Sequence, residues 1–355
     1  MEIEHYSLAA ADLDGYLDAK DRKAIAEIEA EYLAGAGDAK CWTRESGAPR
    51  SRAEAALVAR YQRIGEQMAA LLANESRIHV YSLETAPSFH GEASRLVARL
   101  RDPRTQRPEF VYYTQRAYEL LFNLAFAYRS QRRPLVVDTP VTVPWPAVAV
   151  HRIPDIDEIA GRGAMCVLLR AALLPSMILA KEIQEYHSQR ISVPFALFKI
   201  SRDDRRVQQD MVYNMDLRRS YLQPERLDGR DWLFADPMNA TAGSLVTTVS
   251  YLKEQGLQPK AIRFFNVVAS LKGALRVVRA LPEAEVYTLW MDPALNDKAY
   301  ILPGLGDAGD RLNGADPAGS PRGILQLIAG YGGEINSLYR DQIREIERVV
   351  LPVNG

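Results

Sequence analysis

Nine residues, Asp236 to Ser244 (DPMNATAGS), constrain this chain more than any other stretch. The run before them, Trp232-Leu233-Phe234-Ala235, is short and apolar, as in a buried parallel strand. After them, Leu245, Val249 and Leu252 mark one face of a helix over Leu245 to Gln255, with Gly256 just past its end. The nine residues therefore form a strand-to-helix turn. Backbone N–H groups at a helix start favour an anion, and small residues let a phosphate come close to them. Asp236, at the strand end, can accept hydrogen bonds from sugar hydroxyls. A carboxylate and a phosphate cradle a few residues apart suit a ribose 5-phosphate.

Strand–helix alternation continues on both sides. Ala164 to Leu169 reads as a buried strand ending at Arg170, followed by a helix to about His187 and a strand over Ile191 to Ile200. Downstream come a strand (Ala261 to Ala269), a helix (Leu271 to Ala280) and a strand (Glu285 to Trp290). This spacing predicts right-handed crossovers and a parallel α/β sheet flanked by helices. Residues 135–151, with Pro140, Pro144 and Pro146, read as edge strands or a hairpin arm. Arg77 to Tyr81 reads as a short strand and Ala117 to Tyr128 as an apolar helix.

Residues 1–75 form a helical N-terminal extension by their stripes. Leu13, Leu17, Ile25, Ile28 and Tyr32 make one; Leu57, Tyr61, Ile64, Met68 and Leu71 make another. The Gly- and Pro-containing AGAGDAKCWTRESGAPR between them reads as a loop. A cap on the main domain, an oligomerisation arm and a substrate gate all fit such stripes. Residues 315–355 read as a linker and a C-terminal helix, with a stripe of Ile335, Leu338, Tyr339, Ile343, Ile346 and Val350 ending at Pro352.

The 44 Lys and Arg against 45 Asp and Glu argue against a nucleic-acid partner, so any anion site must be local. Two cysteines, Cys41 and Cys166, give no CxxC, and the five histidines have no metal-ligand spacing, so no protein-held metal site is expected. The same cysteine usage fits a reducing, cytoplasmic compartment. No basic-then-apolar leader opens the chain, and Arg170 and Pro175 interrupt the most apolar window, Gly163 to Ala180. A spanning helix needs about 20 mostly apolar residues, so no membrane role is expected. Gly304 to Gly309 spells GxGxxG, but Pro303 precedes it and Asp316-Pro317 soon follows, which a dinucleotide-binding βαβ unit would not tolerate.

Asp236 to Ser244, taken with Ala299 to Asp310 (AYILPGLGDAGD) and the run Leu100-Arg-Asp-Pro-Arg-Thr105, resembles the uracil phosphoribosyltransferase family of type I phosphoribosyltransferases. The resemblance covers about residues 76–314. It implies transfer of the 5-phosphoribosyl group of phosphoribosyl diphosphate to uracil, giving UMP and pyrophosphate. By resemblance, Asp236, Pro237, Met238, Asn239, Ala240, Thr241, Ala242, Gly243 and Ser244 hold the ribose phosphate. Arg170 and Arg202 meet the pyrophosphate, with Lys199 the alternative to Arg202. Ile301, Gly306 and Ala308 line uracil through the backbone, and Asp307 faces the phosphoribosyl diphosphate. Asp236, Arg170 and Asp307 are the candidate catalytic groups. Mg²⁺ is expected with the diphosphate, since that ion binds chiefly through substrate phosphates, and a homodimer or higher homo-oligomer is implied.

Three positions depart from the family pattern. Asn239 replaces a usual leucine, Ala242 stands in a glycine pair, and Ala172 replaces the glycine of an Arg-Ala-Gly triplet. If residue 172 needs a positive φ, its alanine costs about 1–2 kcal/mol. Two further readings follow: the same transfer to another uracil-like acceptor, and a nucleotide-binding regulator that turns over poorly.

Overall fold

The computed structural model describes residues 4–351 except 85–86, 128–130, 141–147, 190, 204, 315–321 and 332–339. The chain opens with β1 (His5–Ala9), α1 (Ala10–Asp14), α2 (Ala19–Leu33), α3 (Ala36–Arg44) and α4 (Gly47–Leu72). β2 (Ile78–Val80), α5 (Tyr81–Glu84), α6 (Pro87–Arg101) and α7 (Arg107–Ala127) follow, then the hairpin β3 (Arg132–Asp138) and β4 (Val148–Pro154). α8 (Asp157–Arg162) leads into β5 (Gly163–Leu169), α9 (Leu173–Tyr186), β6 (Phe195–Arg202) and β7 (Val212–Tyr221). Next are β8 (Asp231–Ala235), the two-residue β9 (Met238–Asn239), α10 (Gly243–Glu254), β10 (Ala261–Ser270), α11 (Leu271–Ala280) and β11 (Ala284–Asp292). β12 (Ala294–Leu295), β13 (Ile301–Leu302), α12 (Ala308–Asn313), α13 (Ile324–Ala329) and α14 (Arg340–Val350) complete it.

One mixed sheet organises the molecule, in the order β1-β7-β6-β5-β8-β10-β11-β2, with β9 added on β10. From β6 to β2 all neighbours are parallel; β7 and β1 close one edge antiparallel. The central strands carry continuous apolar runs because both faces are covered. Ala164 to Val167 and Trp232 to Ala235 are fully buried. Crossovers from β5 through α9 to β6 and from β8 through α10 to β10 run in opposite directions along the sheet. Right-handed connection then puts the two helices on opposite faces. The direction reverses between β5 and β8, and open α/β sheets bind ligands at the strand carboxyl ends of such a switch point.

Two expectations need correction. Residues 5–9 are a strand that pairs with β7 from His5↔Asp216 to Ala9↔Val212, so the extension is helical only after Ala9. The segment read as a loop between the N-terminal stripes holds α3. Gly35 sits at its N-cap, and Pro49 lies in the first turn of α4, where a missing N–H costs nothing. In the second stripe Ile64 and Met68 are buried, while Tyr61 is exposed. The C-terminal stripe is described only from α14 onward, where Ile346 is buried; Ile335, Leu338, Tyr339 and Pro352 lie outside the described residues.

Candidate active site

A cleft of about 580 Å³ opens at the carboxyl ends of β5, β6 and β8. Arg170, Lys199 and Arg202, the turn from Asp236 to Ser244, and the wall of Ile301, Gly306, Asp307 and Ala308 all line it. Every site residue anticipated from the sequence borders this cleft except Pro237. Its carbonyl is turned into the sheet, accepting N–H bonds from Val267 at 3.2 Å and Val268 at 3.0 Å.

The turn from Asp236 to Ser244 is fixed at each step. Met238 and Asn239 add to the sheet beside Val268 and Ala269. Asn239 is buried, and its Oδ1 accepts the Ala242 N–H at 3.1 Å, closing a local ring that holds Ala242 at φ 63°. A left-handed alanine costs about 1–2 kcal/mol, so strain sits at Ala242. Ala172, by contrast, has φ −78° and caps α9 in the right-handed region, so the expected penalty there does not arise. Thr241 Oγ1 accepts the Gly243 N–H at 3.3 Å and lies 2.5 Å from the hydroxyl of Tyr213 on β7. The Tyr213 ring packs flat on Gly243, where any Cβ would overlap it. In the first turn of α10, the amides of Ser244 and Leu245 have no partner within the helix itself, and with the N-terminal dipole they favour an anion.

Asp236 sits at the tip of β8. Its Oδ1 accepts the Met238 N–H at 3.2 Å, and Asn266 Nδ2 donates to its carbonyl at 2.8 Å. Burial pushes its carboxyl up to about 7; the Met238 bond opposes this and the Asp307 charge adds to it. Arg170 donates to Asp310 at 2.5 Å and to the Gly314 carbonyl at 3.4 Å. Arg202 lies over the Tyr300 ring at 4.4 Å and donates to the Ala299 carbonyl at 3.3 Å.

The wall from Ile301 to Ala308 is held from outside the cleft. Gly304 and Gly306 have φ 65° and 75°, and a Cβ at Gly304 would strike the Ile301 carbonyl. Asp292, at the end of β11, receives Arg101 in a two-pronged pair at 2.7 and 3.1 Å, and its Oδ2 accepts the Gly304 N–H at 2.9 Å. Arg311 bonds the Leu305 carbonyl at 2.8 Å and the Asp102 carbonyl at 2.9 Å, while lying 4.1 Å over the Phe110 ring. The run Leu100 to Thr105 thus reaches the wall through Arg101 and Arg311. Asp307 caps α12 by accepting the Asp310 N–H at 2.9 Å and stays exposed to the cleft. Among the described residues there is no group of three or more His, Cys, Asp or Glu that could hold a metal ion, and no helix is long and apolar enough to cross a membrane.

Sequence reasoning missed Tyr213, Ser270 and Arg276. Tyr213 arrives from an antiparallel strand with no local signal. Ser270, Gly273 and Arg276 are spaced by three, which places them along one side of α11, and that spacing was readable. Ser270 Oγ donates to the Ala240 carbonyl, and Arg276 donates to the Thr241 carbonyl at 3.3 Å.

The mainly parallel sheet, its covering helices and a cleft at the switch point define an α/β protein of the type I phosphoribosyltransferase-like architecture. A family model described as uracil phosphoribosyltransferase matches residues 88–315, more than half of the chain. The chain belongs to the uracil phosphoribosyltransferase family. It is similar to a uracil phosphoribosyltransferase of Staphylococcus epidermidis, 45% identical over 91 residues, or 26% of this chain and 43% of the relative. One from Limosilactobacillus fermentum is 44% identical with the same coverage. The chain thus spans less than half the length of the curated relatives it matches. Among solved structures, the AQ2163 protein of Aquifex aeolicus aligns with 67% of this chain and 98% of its own at 20% identity and a TM-score of 0.47. An adenine phosphoribosyltransferase of Trypanosoma brucei aligns with 50% and 82% at 13% identity and a TM-score of 0.26.

Proposed function

We propose that this protein is a phosphoribosyltransferase that transfers the 5-phosphoribosyl group of phosphoribosyl diphosphate to uracil, giving UMP and pyrophosphate. The observation that carries this reading is that the Asp236–Ser244 turn and the Ile301–Gly309 turn face one cleft with Arg170 at its side. The C1–oxygen bond to the diphosphate breaks, the C1–N1 bond to uracil forms, and the N1 proton is lost to solvent or to the departing pyrophosphate. The sugar passes through an oxocarbenium-like state, so positioning and electrostatics do most of the catalysis.

In this reading the first-turn amides of α10 and the Thr241 and Ser244 hydroxyls hold the 5-phosphate. Asp236 accepts the ribose hydroxyls. Arg170, with Arg202 or Lys199, compensates charge on the leaving pyrophosphate, since a guanidinium matches phosphate oxygens. To do so Arg170 exchanges Asp310 for the diphosphate. Asp236 and Asp307 are the carboxylates that would hold Mg²⁺ arriving with the diphosphate, and the ion would supply charge neutralisation there. Main-chain groups of Ile301, Gly306 and Ala308 read the donor and acceptor edge of uracil. Cytosine reverses part of that edge, which leaves buried groups without partners.

The departures from the family pattern lend little to the two other readings. Asn239 is engaged with Ala242, within the phosphate turn, and Ala172 has an ordinary backbone. The test is pyrophosphate release with phosphoribosyl diphosphate, Mg²⁺ and a panel of bases. Release with uracil is expected; release only with another heterocycle would move the assignment to that acceptor.

A further inference from the structure

The α11 helix has two working faces, and one residue belongs to both. On the first face, Ser270, Gly273 and Arg276 touch the phosphate turn. Ser270 caps the helix by accepting the Gly273 N–H at 2.8 Å and donates its own proton to the Ala240 carbonyl. A Cβ at Gly273 would stand 2.6 Å from that same carbonyl, so only glycine allows this approach. Arg276 is 2% exposed and reaches the Thr241 carbonyl with Nη1 at 3.3 Å.

The second face is cationic and meets the N-terminal extension. Lys272 and Arg276 approach Asp14 of α1, and Arg279 pairs with Asp21 of α2 at 2.9 Å and with Glu75. Arg276 forms its ion pair with Asp14 through Nη2, while Nε is buried without a hydrogen-bond partner among the described residues. A guanidinium this deep is costly, and its cost is offset only by full pairing. Satisfying the Thr241 carbonyl alone would need only a neutral donor. The permanent cation instead places positive charge directly behind the turn that would receive a phosphate.

We propose that Arg276 is a positioning residue for the 5-phosphate, held by Asp14, so that the N-terminal extension is a working part of the phosphate seat. The inference rests on the proposed function, because it needs a phosphate to arrive there. Arg276 touches no substrate. It fixes the Thr241 carbonyl, and with it the plane of the peptide whose N–H belongs to Ala242. Asp14 fixes the guanidinium and lowers its desolvation cost without removing its donor toward Thr241.

Calorimetric titration with phosphoribosyl diphosphate and with ribose 5-phosphate, on the full chain, tests this. Arg276→Met should keep the fold, since the Asp14 side chain it leaves behind is 44% exposed and its charge stays in water, and should weaken both ligands by about tenfold. Arg276→Lys should recover part of that loss. Asp14→Asn, at a partly exposed carboxylate, should weaken both ligands less, and should have no further effect when combined with Arg276→Met. In steady state, KM for phosphoribosyl diphosphate should rise while KM for uracil stays put, which a general loosening of the fold would not produce. Unchanged affinities in Arg276→Met and Asp14→Asn, with melting temperatures as in the wild type, would overturn the inference and leave the function standing. Wild-type protein that binds neither ligand would overturn the function, and the inference with it.

Discussion

At the scale of single residues, strain and charge concentrate at the cleft. Asp236 has its carboxyl pushed up to about 7 by burial, against 3.8 ordinarily. The folded protein therefore holds this proton where the unfolded chain has released it. Stability from this group is complete below about pH 4 and is lost as pH rises through 7. In denaturation curves over a pH series, wild type should lose stability across that window relative to Asp236→Asn. If ribose hydroxyls need the ionised form, kcat/KM should climb through the same window in wild type and stay flat and low in the variant. Gly304→Ala meets both a positive φ and the Ile301 carbonyl, so a loss of stability above about 2 kcal/mol is expected. Ala242→Gly relieves about 1–2 kcal/mol of left-handed strain against about 0.5–1 kcal/mol of added chain entropy. Its melting temperature should match or slightly exceed that of wild type.

At the scale of elements, the helix α11 joins the extension to the sheet. Arg279 neutralises Asp21, which is 3% exposed, together with Glu75. Removing one partner of such a pair leaves a buried charge, so Arg279→Ala should cost about 3 kcal/mol in denaturant unfolding. Arg279→Ala combined with Asp21→Asn should recover part of it. Legibility in the sequence divides at this scale. The two turns lining the cleft were readable because their demands are local: a carboxylate at a strand end, glycines where φ is positive, a helix start made of small residues. The parallel core was readable because continuous apolar runs leave few alternatives. What was hidden depends on packing between distant segments. Tyr213 reaches Gly243 only once β7 folds beside β6. His5 to Ala9 is too short to announce itself as a strand until β7 offers an edge. Gly35 and Pro49 looked like loop residues because a helix end and a first turn use the same residues as a loop.

At the scale of the whole molecule, the hairpin of β3 and β4 stands out. Val136, Val148 and Val150 are each about half exposed or more, and a two-stranded ribbon is marginal alone in water. The homodimer implied by family resemblance would cover such residues. Sedimentation should give a dimer for wild type and a smaller species for a Val136→Glu, Val150→Glu variant; a monomeric wild type would remove that expectation.

The carboxylate of Asp292 has a consequence for how the protein assembles. It joins Arg101, from early in the chain, to the amide of Gly304, from late in it. A nascent polypeptide therefore lacks the shaped Ile301–Gly309 wall of the cleft, the proposed seat for the base, until nearly everything up to α12 has been made. Divided into two separately expressed pieces anywhere between α6 and β11, each half would lack one side of this clasp. Recovered base binding on mixing would then report directly that the halves had met.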